Sequence, residues 1–250
     1  MRFYSLGSGS SGNSTLIENN GRYILIDVGL TYKDIVEKLS SLSVEVSMIE
    51  AVIITHSHTD HMRSIKFFKD EIRYGIGGQI SYSLPSKNYL NPYESYKICD
   101  LDIFVLPASH DVDTLNFVIK SNDETLVYIT DTGYISNKNL SHLVNADYYF
   151  FESNHDVKML MNSNRPIFLK KRILSDKGHL SNEVAGEYLV KLIGDKTKEI
   201  MFCHLSEVAN TCEVCLNSFK NISLKRNIDV SSLKIHCAER FVISQGGNHD

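Results

Sequence analysis

Six consecutive residues, His56-Ser57-His58-Thr59-Asp60-His61, place three imidazoles and a carboxylate directly after the apolar run Ala51 to Ile54. Imidazole nitrogens and carboxylate oxygens are donors that hold zinc, manganese or iron. At a strand end alternate side chains share a face, so His56 and His58 can aim at one ion while the following turn sends Asp60 and His61 toward a second. Two divalent ions ~3.5–4 Å apart lower the pKa of a water toward neutrality and clamp an ester oxygen, which is the chemistry of hydrolysis. Further donors follow other apolar runs: His110 after FVLPAS, Asp131 after LVYIT and His204 after IMFC. A fold can collect such residues at one end of its sheets without burying unpaired charge.

The elements that must position these residues are readable from pattern. Short strands are expected at Arg2 to Leu6, Ser14 to Glu18 and Tyr23 to Asp27, with Asn20-Gly21 as a two-residue hairpin turn. A helix from Thr31 to Leu42 follows, with Thr31 as N-cap and Ile35, Leu39 and Leu42 at helical spacing. Strands are then expected at Ala51 to Thr55, Ile103 to Pro107, Leu115 to Ile119, Thr125 to Thr130, Asp147 to Glu152 and Glu199 to Cys203. A helix from Asn182 to Ile193 is capped by Ser181. Two groups of strands, each followed by helices, predict an α+β fold: an αββα sandwich of two mixed sheets face to face with helices outside. No repeat or linker divides the chain, so residues 1–250 read as a single domain with a frayed tail over 244–250.

Composition sets bounds on partners. The 250 residues carry 26 Lys and Arg against 30 Asp and Glu, a formal charge of -4, which argues against a surface built throughout to hold nucleic acid. No apolar run approaches the ~20 residues of a membrane helix, and no secretory leader is evident, so a cytoplasmic protein without membrane partners is expected. Five cysteines, an odd number, are not a disulfide framework. Cys212 and Cys215 form a lone CxxC on an expected helix, and Cys203 reads as a buried strand residue. Ten histidines are a surplus that points toward metal.

The motifs in their order resemble the metallo-β-lactamase-fold hydrolases over nearly the whole chain: a strand ending in Asp27, the HxHxDH core, then His110, Asp131 and His204. Within that superfamily the chain looks like the WalJ/YycJ-type exonucleases. The matching segments are LGSGSSGNSTLI from Leu6, LIDVGL from Leu25, ITHSHTDH from Ile54, SHD from Ser109, ITDTG from Ile129, ESNHD from Glu152, KGHLSN from Lys177 and CHLSE from Cys203. The resemblance implies that His56, His58 and His110 hold one metal and Asp60, His61 and His204 a second, with Asp131 between them. Asp27 would orient a histidine ligand by hydrogen bond, or else serve as a carboxylate at the turn into a helix. His58 stands where diiron oxygen-reductase relatives carry Glu, which favours hydrolysis over redox chemistry.

The implied reaction is hydrolysis of a phosphodiester by a hydroxide that two divalent ions (Zn, Mn or Fe) activate and that Asp60 and Asp131 orient. His179 is the candidate general acid, and Glu152, similar to the partner Glu of RNA-processing relatives, would orient it. For a DNA substrate, the loop from Gly7 to Ser14 offers Ser8, Ser10, Ser11 and Asn13 as a phosphate cradle, or is simply a tight Gly/Ser turn. The run from Arg165 to Lys177, with Lys170, Lys171 and Arg172, is either a solvated face or a set of phosphate contacts leading to His179. Asn154 and Asn182 join these as substrate-binding candidates. His155 either lines the pocket or fixes its loop. His142, on an expected helix, and His236, in a late strand, read as structural, and His249 belongs to the tail. Tyr4, Tyr32 and Tyr74 are either base-stacking or half-buried residues. A small-molecule hydrolase acting on a cyclic phosphodiester, thioester or lactone is the alternative function, and a metal-loaded scaffold without turnover a second. No obligatory protein partner is inferred.

Overall fold

A computed structural model describes residues 1–77 and 88–248, arranged as two compact units. The first comprises residues 1–107, 112–123 and 238–250, the second 108–111 and 124–237. His249 and Asp250, assigned to a frayed tail, lie outside the described residues.

In the first unit, β1 (Arg2–Gly7), β2 (Ser14–Asn19) and β3 (Arg22–Ile26) form an antiparallel meander, with the expected Asn20-Gly21 turn between the last two. Asn20 and Gly21 both adopt positive φ, the backbone such a hairpin requires. Helix α1 (Tyr32–Ser41) is capped by Thr31, which accepts from Asp34 N, and buries Ile35 and Leu39. The chain then enters β4 (Ile49–Ile54), which pairs parallel with β3, and α2 (Thr59–Met62) follows directly. Next come β5 (Arg73–Gly75), parallel to β4, and the antiparallel pair β6 (Ser95–Ile98) and β7 (Leu101–Ala108), with β8 (Thr114–Lys120) after them. Leu6, Leu16, Leu25, Val28, Val52 and Ile54 close on the apolar face of α1 to make this unit's core.

The second unit holds β9 (Thr125–Ile129), α3 (Asn137–Leu140), β10 (Tyr148–Glu152), α4 (Val157–Asn162), α5 (Ile167–Ile173), α6 (Asn182–Leu192), β11 (Glu199–Cys203), α7 (Cys212–Lys225) and β12 (Lys234–Cys237). Its four strands run parallel in the order β12-β11-β10-β9. Every residue of β10 and β11 is buried, as expected of parallel strands covered on both faces, which is why they read as unbroken apolar runs. Ser181 caps α6 as expected. His142 lies in the turn after α3 rather than on a helix, and His236 sits in β12 with Nε2 at 2.6 Å from Glu199 Oε1.

The C-terminus corrects one expectation. Residues Ser244–Gly247 form β13, which returns to the first unit and pairs antiparallel with Arg2 to Ser5 of β1. That completes a six-stranded sheet of order β13-β1-β2-β3-β4-β5. A polar segment without apolar alternation can still be a strand when a partner edge satisfies its backbone.

A close approach holds the first unit's histidine segment in place. Val28 N donates to His61 O (2.7 Å), Gly29 N to Asn13 O (2.8 Å) and Asn13 N to Asp60 O (2.8 Å). A Cβ at Gly29 would stand 1.7 Å from the Asp60 carbonyl oxygen, so only glycine fits. Gly29→Ala is therefore expected to destabilise the protein by about 2–4 kcal/mol, read as a lower urea midpoint at unchanged slope.

Candidate active site

Most of the candidate donors stand at strand ends, where the backbone turns sharply. Asp27 follows β3, Asp131 follows β9 and His204 follows β11, and all three have positive φ (60°, 48° and 56°). For residues other than glycine such backbone costs ~1–3 kcal/mol and persists where the surroundings impose it, often at functional sites.

In the first unit the network starts at Asp27, whose carboxylate is fully buried. Oδ2 accepts from His61 Nδ1 (2.7 Å), and Oδ1 accepts from Thr55 N (2.8 Å). The Thr55 hydroxyl donates to the same carboxylate (2.9 Å to Oδ2), which leaves its oxygen to accept from His56 Nδ1 (2.9 Å). This pattern places the Nδ1 protons on His61 and His56 and points the Nε2 lone pairs away from Asp27. Burial pushes the Asp27 carboxyl above its ordinary range, despite the attraction and hydrogen bond of His61 and the Thr55 bonds. His56 Nε2 lies 3.0 Å from His58 Nδ1, and Asp60 Oδ2 lies 3.8 Å from His61 Nε2. In the sequence Thr55 reads only as the end of an apolar strand, and its place just before His56 is the signal of this bridging role.

In the second unit Glu152 is the organising group. Its buried carboxylate takes His179 Nδ1 (2.8 Å) and His204 Nδ1 (2.9 Å) on Oε1, and Thr132 N (3.0 Å) and Leu180 N (3.3 Å) on Oε2. Burial raises its pKa, but the attraction and hydrogen bonds of His179 and the bond of His204 outweigh that and hold the carboxyl well below its ordinary range. Asp131 Oδ1 lies 3.6 Å from His179 Nδ1 and 3.4 Å from His204 Nδ1. One donor atom from each of Asp131, Glu152, His179 and His204 fits within a 4.8 Å group, a set of nitrogens and oxygens suited to a borderline or hard divalent cation. His110 is fixed through Nδ1 to the Gly178 carbonyl oxygen (3.2 Å), and burial lowers its pKa. Thr132 supports it from behind, accepting from Ser109 N on Oγ1 (3.1 Å).

His155 is buried, and neither of its ring nitrogens has a hydrogen-bond partner among the described residues. Burial depresses its pKa to about 4, so it is a neutral imidazole at physiological pH. Its backbone oxygen accepts from Asn182 N (2.8 Å), which joins the ESNHD segment to the start of α6.

Several substrate-binding candidates need correction. Asn154 and Asn182 are buried and bonded internally: Asn154 Nδ2 donates to His204 O (2.8 Å), and Asn182 Oδ1 accepts from Ser153 Oγ (2.7 Å) and Asn210 Nδ2 (2.8 Å). Lys170 is 9% exposed and its ammonium donates to Met161 O (2.6 Å), so it closes α5 on α4 rather than facing a substrate. Arg172 is exposed and pairs with Asp111 (3.1 Å), while Lys171 stands in solvent. The Gly/Ser loop is a closed turn. Gly12 N donates to Gly9 O (3.0 Å), Gly9 N to Asn13 Oδ1 (2.8 Å), and Asn13 Nδ2 reaches His61 Nε2 (2.9 Å). Asn13 and Ser8 are buried, and Ser10 and Ser11 alone of the loop's candidates are exposed. The Tyr32 ring is stacked on Phe67 at 4.5 Å. Among the described residues no helix is long and apolar enough to cross a membrane.

Residues 7–133 match the family model described as the metallo-beta-lactamase superfamily. The chain is 33% identical over 230 residues to "Exodeoxyribonuclease WalJ" of Streptococcus pneumoniae serotype 2 (strain D39), covering 86% of this chain and 85% of that protein. It is 28% identical over 249 residues to "Exodeoxyribonuclease YycJ" of Bacillus anthracis, covering 94% of each. Among solved structures, the metallo-beta-lactamase fold protein YhfI from Bacillus subtilis superposes with a TM-score of 0.74 at 19% identity, covering 98% of both chains. The α+β class with two mixed sheets is thus the fold expected from the sequence. A family model over half of the chain, and a one-third identical relative over most of it, make this protein a member of the metallo-beta-lactamase superfamily.

Proposed function

We propose that the protein is a metal-dependent phosphodiesterase, a 5'-to-3' DNA exonuclease that uses two divalent metal ions (Zn, Mn or Fe). The observation that carries this reading is the likeness, along most of the chain, to two relatives named exodeoxyribonucleases. In this reading His56, His58 and His110 hold one ion, Asp60, His61 and His204 the other, and Asp131 is shared. When bound, the ions supply an acidified water and neutralise charge on the phosphoryl oxygens.

The chain's own residues supply orientation and protons. Asp27 and Thr55 fix the Nδ1 protons of His61 and His56, so the ring faces are set before any ligand arrives. Asp60 and Asp131 orient the attacking hydroxide. Glu152 holds the Nδ1 proton of His179 and so presents Nε2 as the atom that protonates the leaving alkoxide. Lys171 and the exposed Ser10 and Ser11 remain as contacts for the substrate backbone. With Asp60 and Asp131 counted against two cations, ~+4 in all, the formal -4 of the chain falls near neutrality, and any grip on DNA is local to the site.

End-labelled single- and double-stranded DNA, with Mn²⁺ or Zn²⁺ added, tests the proposal beside bis-p-nitrophenyl phosphate and a lactone. Release of nucleotides from the 5' end supports it; lactone cleavage without DNA cleavage supports the small-molecule alternative, and no turnover supports the scaffold. Asp27→Asn is expected to weaken metal affinity about 10–100-fold, measured by competition with a chelating dye, because the amide no longer fixes the His61 and Thr55 protons.

A further inference from the structure

Three of the five cysteines meet in the second unit, and none of them is among the residues assigned to the chemistry proposed above. Helix α7 opens with Thr211 as N-cap, accepting from Val214 N at 3.2 Å. Cys212 occupies the first helical position and is exposed, while Cys215, one turn on, is buried. Cys237 closes β12, the strand against which α7 packs, and is buried as well. Its Sγ lies 3.8 Å from the Cys212 carbonyl oxygen, and its thiol is in hydrogen-bonding contact with both cysteines of the CxxC. The sequence shows a lone CxxC; the fold supplies a third thiol at its side.

The three positions differ in the way an oxidation relay requires. Of the three thiols, that of Cys212, exposed at the start of α7, is the one an oxidant can reach. A buried neighbouring thiol is protected from the oxidant yet held beside the first sulfur. That geometry favours capture of an oxidised intermediate over its further oxidation.

We propose that Cys212 and Cys237 form a reversible disulfide under hydroperoxide. In the first step the Cys212 sulfur attacks the peroxide, the O–O bond breaks, and the products are a Cys212 sulfenic acid and water or an alcohol. In the second, the Cys237 sulfur attacks the sulfenic sulfur, an S–S bond forms, and the sulfenic oxygen leaves as water with the Cys237 proton. The two thiols lose two electrons in total and the peroxide gains them. Cys215, in contact with Cys237, can exchange into the bridge. The bond ties the first turn of α7 to the end of β12 and shortens the freedom of segment 205–211, which leads from His204 to that helix.

The test exposes the metal-loaded full chain to hydrogen peroxide and follows it by thiol titration and by peptide mapping without reductant. Titratable thiols are expected to fall from five to three, with a Cys212–Cys237 linked peptide that dithiothreitol releases. In Cys237→Ser, Cys212 should pass instead to sulfinic and sulfonic acid; in Cys212→Ser, thiol loss at equal peroxide should slow at least tenfold. The exposed Cys212 site makes the second variant safe if the first fails to fold. Over-oxidation of Cys212 in the unmodified chain without a linked peptide overturns the proposal. So does zinc that elemental analysis finds retained by the protein and lost on Cys237→Ser, since the three thiols would then be a metal site.

Discussion

His58→Ala is expected to lose at least ~100-fold in hydrolysis of end-labelled DNA at saturating Mn²⁺, a larger loss than removing a residue that only orients a ligand. The imidazole is half-buried and meets His56 Nε2 through Nδ1 at 3.0 Å, so in the proposed site it is a direct donor rather than a support. The fold does not depend on it. Thr55 and Asp27 hold His56 and His61 without its help, so circular dichroism and thermal unfolding of the variant should match the parent. Elemental analysis should find reduced metal content. Activity equal to the parent at matched metal would refute the two-metal assignment.

The second large effect is at His179. Its removal is expected to lower turnover about 10²–10⁴-fold, the range for loss of a positioned general acid, with both metals retained. The reason lies in how Glu152 is shared. Oε1 bonds both His179 and His204, so truncating His179 leaves the His204 bond and the Thr132 and Leu180 amides to hold the carboxylate. The leaving group gives an independent readout: a substrate with an activated leaving group such as p-nitrophenolate should lose far less in His179→Ala. Loss of metal in this variant would instead make His179 a ligand, consistent with its place in the donor group with Asp131, Glu152 and His204.

The side chains that depart from the expectation of the sequence are those whose partners are set by long-range contacts. Lys170 belongs to a basic run and reads as a phosphate contact, yet the first turn of α5 turns it inward to Met161 O. Asn154 and Asn182 lie in chemistry-bearing motifs, but the Asn154 amide donates to the His204 carbonyl oxygen and the Asn182 amide closes a buried network with Ser153 and Asn210. The polar C-terminal segment carries no periodic signal because its pairing with β1 is a backbone contract between the two ends of the chain. The third thiol at the CxxC motif is unreadable for the same reason: Cys237 stands 25 residues from Cys212, and only the packing of α7 on β12 brings the two together.

What the sequence determined by itself is the chemistry on offer and the local scaffold. The HxHxDH run, the donors behind apolar strands, the Thr31 and Ser181 caps and the Asn20-Gly21 turn depend on residue type and short spacing, so they need no tertiary information. The tertiary structure alone decided which groups share protons: Asp27 with Thr55 and His61, and Glu152 with His179 and His204. The balance of burial and partners then set opposite directions, Asp27 raised and Glu152 lowered, because a charge taken out of water is stabilised only by the partners that the fold brings to it.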